Sequence, residues 1–460
     1  MAVKGSFGKH SFLAETRSLV LVVPEDNSER AALANDENHL AIKEQVRSIL
    51  MARIDPAIAA GMERPELLSE IRRLVNDIAD QNRVRLNERE EIILADELVD
   101  DMVGLGPLEP LLDDDTVNDI LVNGPNDVYV ERTNGKLEMT SVRFRDAAHL
   151  VNVAQRIATA VGRRIDEATP MVDARLADGS RVNIVLPPLV LNGGTISIRK
   201  FAKRNITLEH MAARGNLSAP MARFLDIAAQ ARLNILISGG TGSGKTTLLN
   251  AVSRFISRHE RIITIEDAVE LRLQQPHVVQ METRVANVEG VGRIAQRELL
   301  RNALRMRPDR IIVGEVRGEE AFDMMQAMNT GHDGSMSTIH SNSPRDALSR
   351  LENMVLMGSV SLPLAAIRAQ IASAINLVVH IERMRDGIRR VQNIVEIVGM
   401  EGDVVTMQDV FAFHQQGEKR DGKLAGTFVS TGFRPHFIER AAAYGLERQL
   451  LEAIGIVAQA

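Results

Sequence analysis

The most specific chemistry in the sequence lies in consecutive residues Gly239, Gly240, Thr241, Gly242, Ser243, Gly244, Lys245 and Thr246, which satisfy the pattern G-x-x-x-x-G-K-[ST]. Glycines allow successive backbone N–H groups to turn toward a phosphate, and a helix starting where the loop ends adds positive potential there. In such a loop Lys245 reaches the β- and γ-phosphates of a nucleotide and the Thr246 hydroxyl ligates Mg²⁺, with Thr247 next to it at the helix start. The context agrees: Ile235, Leu236 and Ile237 form an apolar run fit for a buried strand, and residues 246–256 read as the helix that follows.

Phosphoryl transfer to water also needs carboxylates near the metal and the attacking water. Two apolar segments deliver them. Residues 310–314 end in a single acid, Glu315, the shape of a Walker B strand; residues 261–265 run into Glu266, Asp267 and, three positions on, Glu270. In open α/β sheets ligands sit at the carboxyl ends of the strands, where these acids fall. Thr246, Glu266, Asp267 and Glu315 are therefore the candidate metal-side groups, with Glu270 beside them near the attacking water. Further on, His332 and His340 bracket a short strand eight positions apart. No third ligand is in view for a metal, so a γ-phosphate sensor or an interdomain contact is the expected role.

These residues need a scaffold. From residue 208 strands alternate with helices, the pattern of a parallel sheet with crossover helices. Strands are expected at 234–238, 261–265, 310–314 and 335–339. A hairpin at 378–384 and 388–397 turns at Asp386-Gly387, and a helical tail starts near Arg434. Upstream, residues 104–205 read as an α+β domain with strands at 119–123, 128–132, 136–138, 181–186 and 195–200, a turn at Asn134-Gly135 and a helix at 147–161. Before it, residues 39–103 repeat apolar positions at three- and four-residue spacing (Ile42, Val46, Ile49; Leu67, Ile71, Leu74), as a small helical bundle does. Residues 1–38 show no sustained period and read as a disordered tail with one short strand at 18–23.

Composition narrows the alternatives. The 460 residues fit two to four domains at roughly 150 each. With 55 Lys and Arg against 61 Asp and Glu, the net charge of −6 does not suit a chain that meets long nucleic acid through bulk positive charge. Aromatic residues make up only 3% and Trp is absent, which also argues against base-stacking rows, so no direct nucleic-acid partner is expected. Cys is absent, which removes disulfides, thiolate metal sites and a cysteine nucleophile. No apolar run approaches the ~18 residues of a membrane span, and the chain reads as cytoplasmic.

The order of these motifs resembles the type II/IV secretion ATPase superfamily: the loop, the acids at 266–270, Gly-Glu-Val-Arg-Gly at 314–318, and Thr-Gly-His followed by Ser-Thr-Ile-His-Ser-Asn within 330–342. It is most similar to the CpaF/TadA branch of the tight-adherence (Tad) pilus system, through further stretches such as Val-Asn-Gly-Pro at 122–125, Asp-Gly-Ser-Arg-Val-Asn at 178–183 and Ile-Arg-Lys-Phe at 198–201. The absence of Cys fits that branch, because the type II and pilus-extension members usually carry a four-cysteine zinc element. The resemblance implies a RecA-like P-loop ATPase domain over 206–460, preceded by an α+β, PAS-like N-terminal domain. Glu270 matches the water-polarising acid and Glu315 the Walker B glutamate. Residues 330–340 match the histidine motif, and Arg181, Arg199 and Arg175 match arginines that the family sends to nucleotide phosphates. It further implies ATP and Mg²⁺ as cofactors and a homohexamer peripheral to the inner membrane. Contact with inner-membrane platform proteins would there drive pilus assembly and possibly retraction. A conjugative or effector-secreting transport ATPase is the second reading. A nucleotide-gated scaffold is the third, against which Lys245, Glu270 and Glu315 argue.

Overall fold

The computed structural model describes residues 48–49, 61–81, 87–132, 135–201, 206–284, 286, 291–358, 362–418 and 424–456. The expected tail at 1–38, most of the helical segment before residue 61, Asn134 of the β-turn and residues 202–205 lie outside them. The chain forms two compact units, one ending at Asp113 and the other starting at Asp114.

In the first unit, helices α1 (Arg64–Gln81) and α2 (Glu88–Val103) bury Leu67, Ile71, Val75 and Ile78 against Leu94, Ala95, Leu98 and Val99. The three- and four-residue spacing puts each set on one stripe, as helical periodicity requires. Asn87 starts α2 with a capping box: its side chain accepts from the Glu90 N–H at 3.0 Å while the Glu90 carboxylate accepts from the Asn87 N–H at 2.8 Å. A 3₁₀ turn (Gly106–Leu108) and α3 (Glu109–Asp113) complete it.

The second unit holds two sheets. The smaller comprises β1 (Val117–Val122), β2 (Val128–Arg132), β3 (Leu137–Met139), β4 (Met171–Arg175), β5 (Arg181–Val185) and β6 (Thr195–Arg199), with α4 (Ala147–Ala160) between β3 and β4. It is antiparallel throughout, in the order β3-β2-β1-β6-β5-β4. Strand period two decides which side chains share a face. Val182, Ile184, Ile196 and Ile198 are buried, and Arg181 and Arg199 fall on the opposite face. Strand β4 was absent from the sequence expectation, because Asp173 and Arg175 interrupt its apolar pattern.

The larger sheet begins after α5 (Leu208–Ala213) and α6 (Ala219–Gln230). Its elements are β7 (Ile235–Gly239), α7 (Lys245–Ser253), β8 (Ile262–Glu266), β9 (Val278–Glu282), α8 (Gln296–Ala303), β10 (Arg310–Val316), α9 (Glu320–Asn329), β11 (Met336–His340), α10 (Pro344–Met357), α11 (Leu364–Ala374), β12 (Leu377–Arg383), β13 (Arg389–Glu401), β14 (Val404–Glu418) and β15 (Leu424–Ser430). The order is β15-β14-β13-β12-β7-β11-β10-β8-β9, parallel from β12 to β9 and antiparallel from β12 to β15. Ile235 and Ile237 enter one core with α5–α7, while Leu236 enters the other with α8–α11. The sheet is thus covered on both sides, as a parallel sheet must be.

The four expected central strands, 234–238, 261–265, 310–314 and 335–339, are present within one or two residues of their expected bounds. The sequence expectation lacked β9, β14 and β15, so the predicted hairpin is in fact the first half of a four-strand antiparallel extension. The helical tail starts at α12 (Ile438–Ala443) rather than near Arg434, and continues in α13 (Glu447–Ala453).

Candidate nucleotide site

Strand β7 is the central strand that delivers the glycine-rich loop, and α7 receives it. The loop's backbone explains its composition. Gly242 and Gly244 have φ of +67° and +98°, which side chains rarely adopt. A Cβ at Gly239 would meet the Ile381 carbonyl oxygen of β12 at 2.1 Å, so this position tolerates no side chain. Lys245 is 8% exposed and its Nζ donates to the carbonyls of Gly239 at 3.1 Å and Gly240 at 2.9 Å. Burial lowers its pKa, opposed by the charge of Glu315.

Register brings the other groups to the same end of the sheet. His340, last residue of β11, pairs with Gly239, last residue of β7. Its Nε2–H donates to Glu315 Oε1 at 2.8 Å, and its ring nitrogens lie 3.4 Å from Lys245 Nζ. Burial holds its imidazole below the ordinary pKa, with Glu315 opposing and Lys245, Arg350 and Arg317 adding to the shift. A neutral imidazole linked to a carboxylate is suited to feel charge arriving between Lys245 and Glu315. The Thr338 hydroxyl donates to the Gly314 carbonyl at 2.7 Å and ties β11 to the β10 end that carries Glu315.

The acids after β8 divide into different roles. Glu266 is 3% exposed, and its Oε2 accepts from the N–H groups of Glu270 at 2.7 Å and Leu271 at 3.0 Å. Burial pushes its pKa up to about 7 against those two donors. Gly314 makes room for it, since a Cβ there would meet Glu266 Cγ at 2.8 Å. Glu266, expected beside the metal, is thus seated in the fold as the group that shapes the 270–271 segment. Asp267, the other expected metal-side acid, is ion-paired with Arg317 and accepts from the Thr283 hydroxyl at 3.2 Å. Glu270 is turned to the smaller sheet, with Arg181 Nη1 at 3.3 Å from its Oε1.

Three arginines form a row by strand register: Arg175 opposite Arg181, and Arg181 opposite Arg199. Arg175 reaches Glu282 and the Val269 carbonyl, both at 2.5 Å, and Arg181 donates to the Ala268 carbonyl at 3.0 Å. Arg199 donates to Asp119 at 2.9 Å, and that bond raises its pKa further. Arg181, Arg199, Glu270, Thr246 and Thr247 line one cavity together with Phe201 and Arg272, whose guanidinium lies 3.8 Å over the Phe201 ring.

His332 is the exception. Its Nδ1 lies 3.2 Å from the Ala327 carbonyl near the end of α9, and it precedes β11 at the amino end of the sheet. The expectation that it joins His340 at the site is corrected: His332 sits in the turn before β11, with its carbonyl accepting from the Ser335 hydroxyl at 2.7 Å, while His340 ends that strand, at the opposite end of the sheet. Sequence reasoning also missed Arg317, the partner of Asp267, and Arg389 on β13, which donates to the Gly242 carbonyl at 2.8 Å. Nothing in the residues around Arg389 marks it as a site group.

Among the described residues no three His, Cys, Asp or Glu side chains gather into a metal cluster. Mg²⁺ fits such a site, because it uses few protein oxygens and takes the rest of its shell from phosphates and water. Thr246 and Glu315 supply hard oxygen donors of that kind.

A glycine-rich loop between the central strand of a parallel sheet and a helix, with acids at neighbouring strand ends, defines a P-loop nucleotide-binding protein with a RecA-like domain. Residues 101–419 match the family model described as type II/IV secretion system protein, and the chain belongs to that family. A protein of Mycobacterium tuberculosis named for conjugal transfer is 42% identical over 310 residues, covering 66% of this chain and 87% of its own. VirB11, a type IV secretion system protein of Bartonella henselae, is 33% identical over 321 residues, covering 61% of this chain and 88% of its own. The crystal structure of the VirB11 ATPase of Brucella suis is 31% identical and covers 63% of this chain and 94% of its own, with a TM-score of 0.34.

Proposed function

We propose that this chain is a Mg²⁺-dependent ATPase that converts ATP and water to ADP and phosphate and drives a secretion or pilus machine. The observation that carries this reading is the convergence of Lys245, at the start of α7, with Glu315 and His340 of adjoining strands, with Lys245 Nζ and Glu315 each within 3.4 Å of the same imidazole. In this reading the loop amides and Lys245 bind the phosphates, and Thr246 and Glu315 would hold Mg²⁺, which would supply positive charge near the phosphoryl oxygens. Glu270 or Glu315 accepts the proton of the attacking water, and Arg181, Arg199 and Arg175 offer guanidinium forks to phosphate oxygens. The working form is a homohexamer at the cytoplasmic face of the inner membrane, held there by platform proteins. Among the described residues no helix is long and apolar enough to cross a membrane.

For the cargo, the motif stretches between 122 and 201 support assembly of a Tad-type pilus. The relative named for conjugal transfer, at 42% identity, supports the second reading, a type IV transport ATPase with the same chemistry. Steady-state ATPase activity of the purified chain with Mg²⁺, beside Glu315→Gln and with mass measured with and without nucleotide, tests the motor. Hydrolysis by a hexamer that the variant abolishes is the expected result. Tight binding by both proteins without turnover would favour the scaffold reading instead.

A further inference from the structure

The outer face of the phosphate-binding loop rests on a hairpin more than a hundred residues downstream. Beside the Ile381 carbonyl that excludes a Cβ at Gly239, Ile381 Cδ1 and Arg389 Cδ approach the Cβ position of Gly244 at 3.7 and 3.2 Å. Arg389 then donates from Nε to the Gly242 carbonyl at 2.8 Å. Its backbone is fixed as well: the Asn216 side chain donates to the Arg389 carbonyl at 2.6 Å, and the Val391 N–H donates to the Asn216 carbonyl at 2.8 Å. Burial and neighbouring Arg383 both work against its charge, with Glu131 and Asp119 of the smaller sheet opposing. Arg383 in turn donates to the Gly135 carbonyl at 2.9 Å and lies 3.6 Å from Glu131. A charged donor kept in a half-buried place beside a like charge is costly unless its hydrogen bond matters to the fold or the site.

We propose that Arg389 is a positioning residue for the phosphate-binding loop: by bonding the Gly242 carbonyl at 2.8 Å it fixes the 242–243 peptide, whose Ser243 N–H closes a turn onto the Gly240 carbonyl at 3.4 Å. The guanidinium carries no bond to the phosphates itself. It sets the shape of the loop whose amides and Lys245 take the phosphates in the reading above. Through Arg383 and Glu131 the same hairpin reaches the β2–β3 turn, so the loop's geometry also depends on where the smaller sheet sits. This inference rests on the nucleotide-site reading above.

The test is direct binding of Mg·ATP and steady-state kinetics on the full chain and four variants. Arg389→Ala removes the whole side chain; Arg389→Met keeps the stem against Gly244 and removes the donor; Arg389→Lys keeps a charged donor; Lys245→Ala is the reference for a broken site. Loss of one hydrogen bond to a charged donor predicts about tenfold weaker affinity and a matching rise in KM for Ala and Met, with kcat within about threefold. Arg389→Lys should recover most of the affinity. Unfolding of Arg389→Ala leaves the decision to Arg389→Met, whose melting temperature without nucleotide should match the parent. Parental affinity and KM in Arg389→Met, alongside binding lost in Lys245→Ala, would overturn this inference alone. A parent chain that binds no Mg·ATP would overturn the nucleotide-site reading and this inference with it.

Discussion

The two ends of the large sheet carry similar residue types and treat them in opposite ways. At the amino end, Arg310 is fully buried and gives both Nε and Nη2 to Glu260 at 2.6 and 2.8 Å, and Nη1 to the Ala229 and Gly334 carbonyls at 2.9 and 3.3 Å. Asn234 donates to the Met328 and Ala374 carbonyls and accepts from the N–H groups of Gly334 and Ser335. At the carboxyl end, Lys245 bonds only loop carbonyls and approaches a neutral imidazole. Among the described residues, Ser243 Oγ, Arg181 Nε and Glu266 Oε1 are buried there with no hydrogen-bond partner. Saturated polar groups add rigidity, whereas unsaturated ones cost stability and persist where a ligand completes them. Residue type alone does not separate the two ends; hydrogen-bond saturation adds to the contrast without deciding it, since Gln275 Oε1 and Gln370 Oε1 are also buried without a partner among the described residues.

The contrast can be broken from either end. Lys245→Ala or Glu315→Gln should cut turnover by roughly 10² to 10³-fold with the thermal melt nearly unchanged, read by phosphate release and calorimetry. Arg310→Met should do the reverse. Without Arg310 the Glu260 carboxylate keeps Arg232 Nη1 at 3.3 Å, a loss of up to about 3–5 kcal/mol in denaturant unfolding, while the activity of the folded fraction stays near that of the parent. Arg181→Ala should lower turnover roughly tenfold to a hundredfold and leave ATP affinity close to the parent. Normal turnover would remove it from the site.

Glu266 sharpens the comparison through pH. Its folded pKa of about 7 lies above the ordinary 4.5, so the folded state holds the proton more tightly than the unfolded chain. Its contribution to stability is full below about pH 4.5 and is lost as pH rises through about 7, by up to ~3 kcal/mol. Glu266→Gln should flatten that part of the pH–stability curve; an unchanged slope would show that burial does not govern this carboxyl. The smallest effect is expected for His332→Ala, with turnover within about twofold and stability down by no more than ~1 kcal/mol.

How much of this was legible depends on how local each feature is. The loop, Glu315 and His340 were readable because contiguous residues and strand ends determine where they go. The arginines came from the family resemblance; what aligns them is cross-strand register, which no single segment encodes. Strand β9 was missed because it is only half-buried at the sheet edge, so its apolar signal is weak. Glu266 could not be read further from sequence because a strand-end acid looks the same whether it faces water or a gap left by a glycine, and that gap comes from Gly314, on another strand. His332 was the avoidable error: one strand cannot present both its ends to one ligand.

The arginine row has a consequence in terms of competition. Like charges placed opposite one another across strands repel, and here each is quieted by a carboxylate of the same chain: Glu282, Glu270 and Asp119. These acids occupy the places where phosphate oxygens would bind if the arginines engage a nucleotide. An incoming anion must then displace resident ones, and the carboxylate set free at Arg181 is Glu270, a candidate base. Arrival of the substrate and release of the group that acts on it would be one exchange, which leaves a chain without ligand holding its own proton acceptor in check.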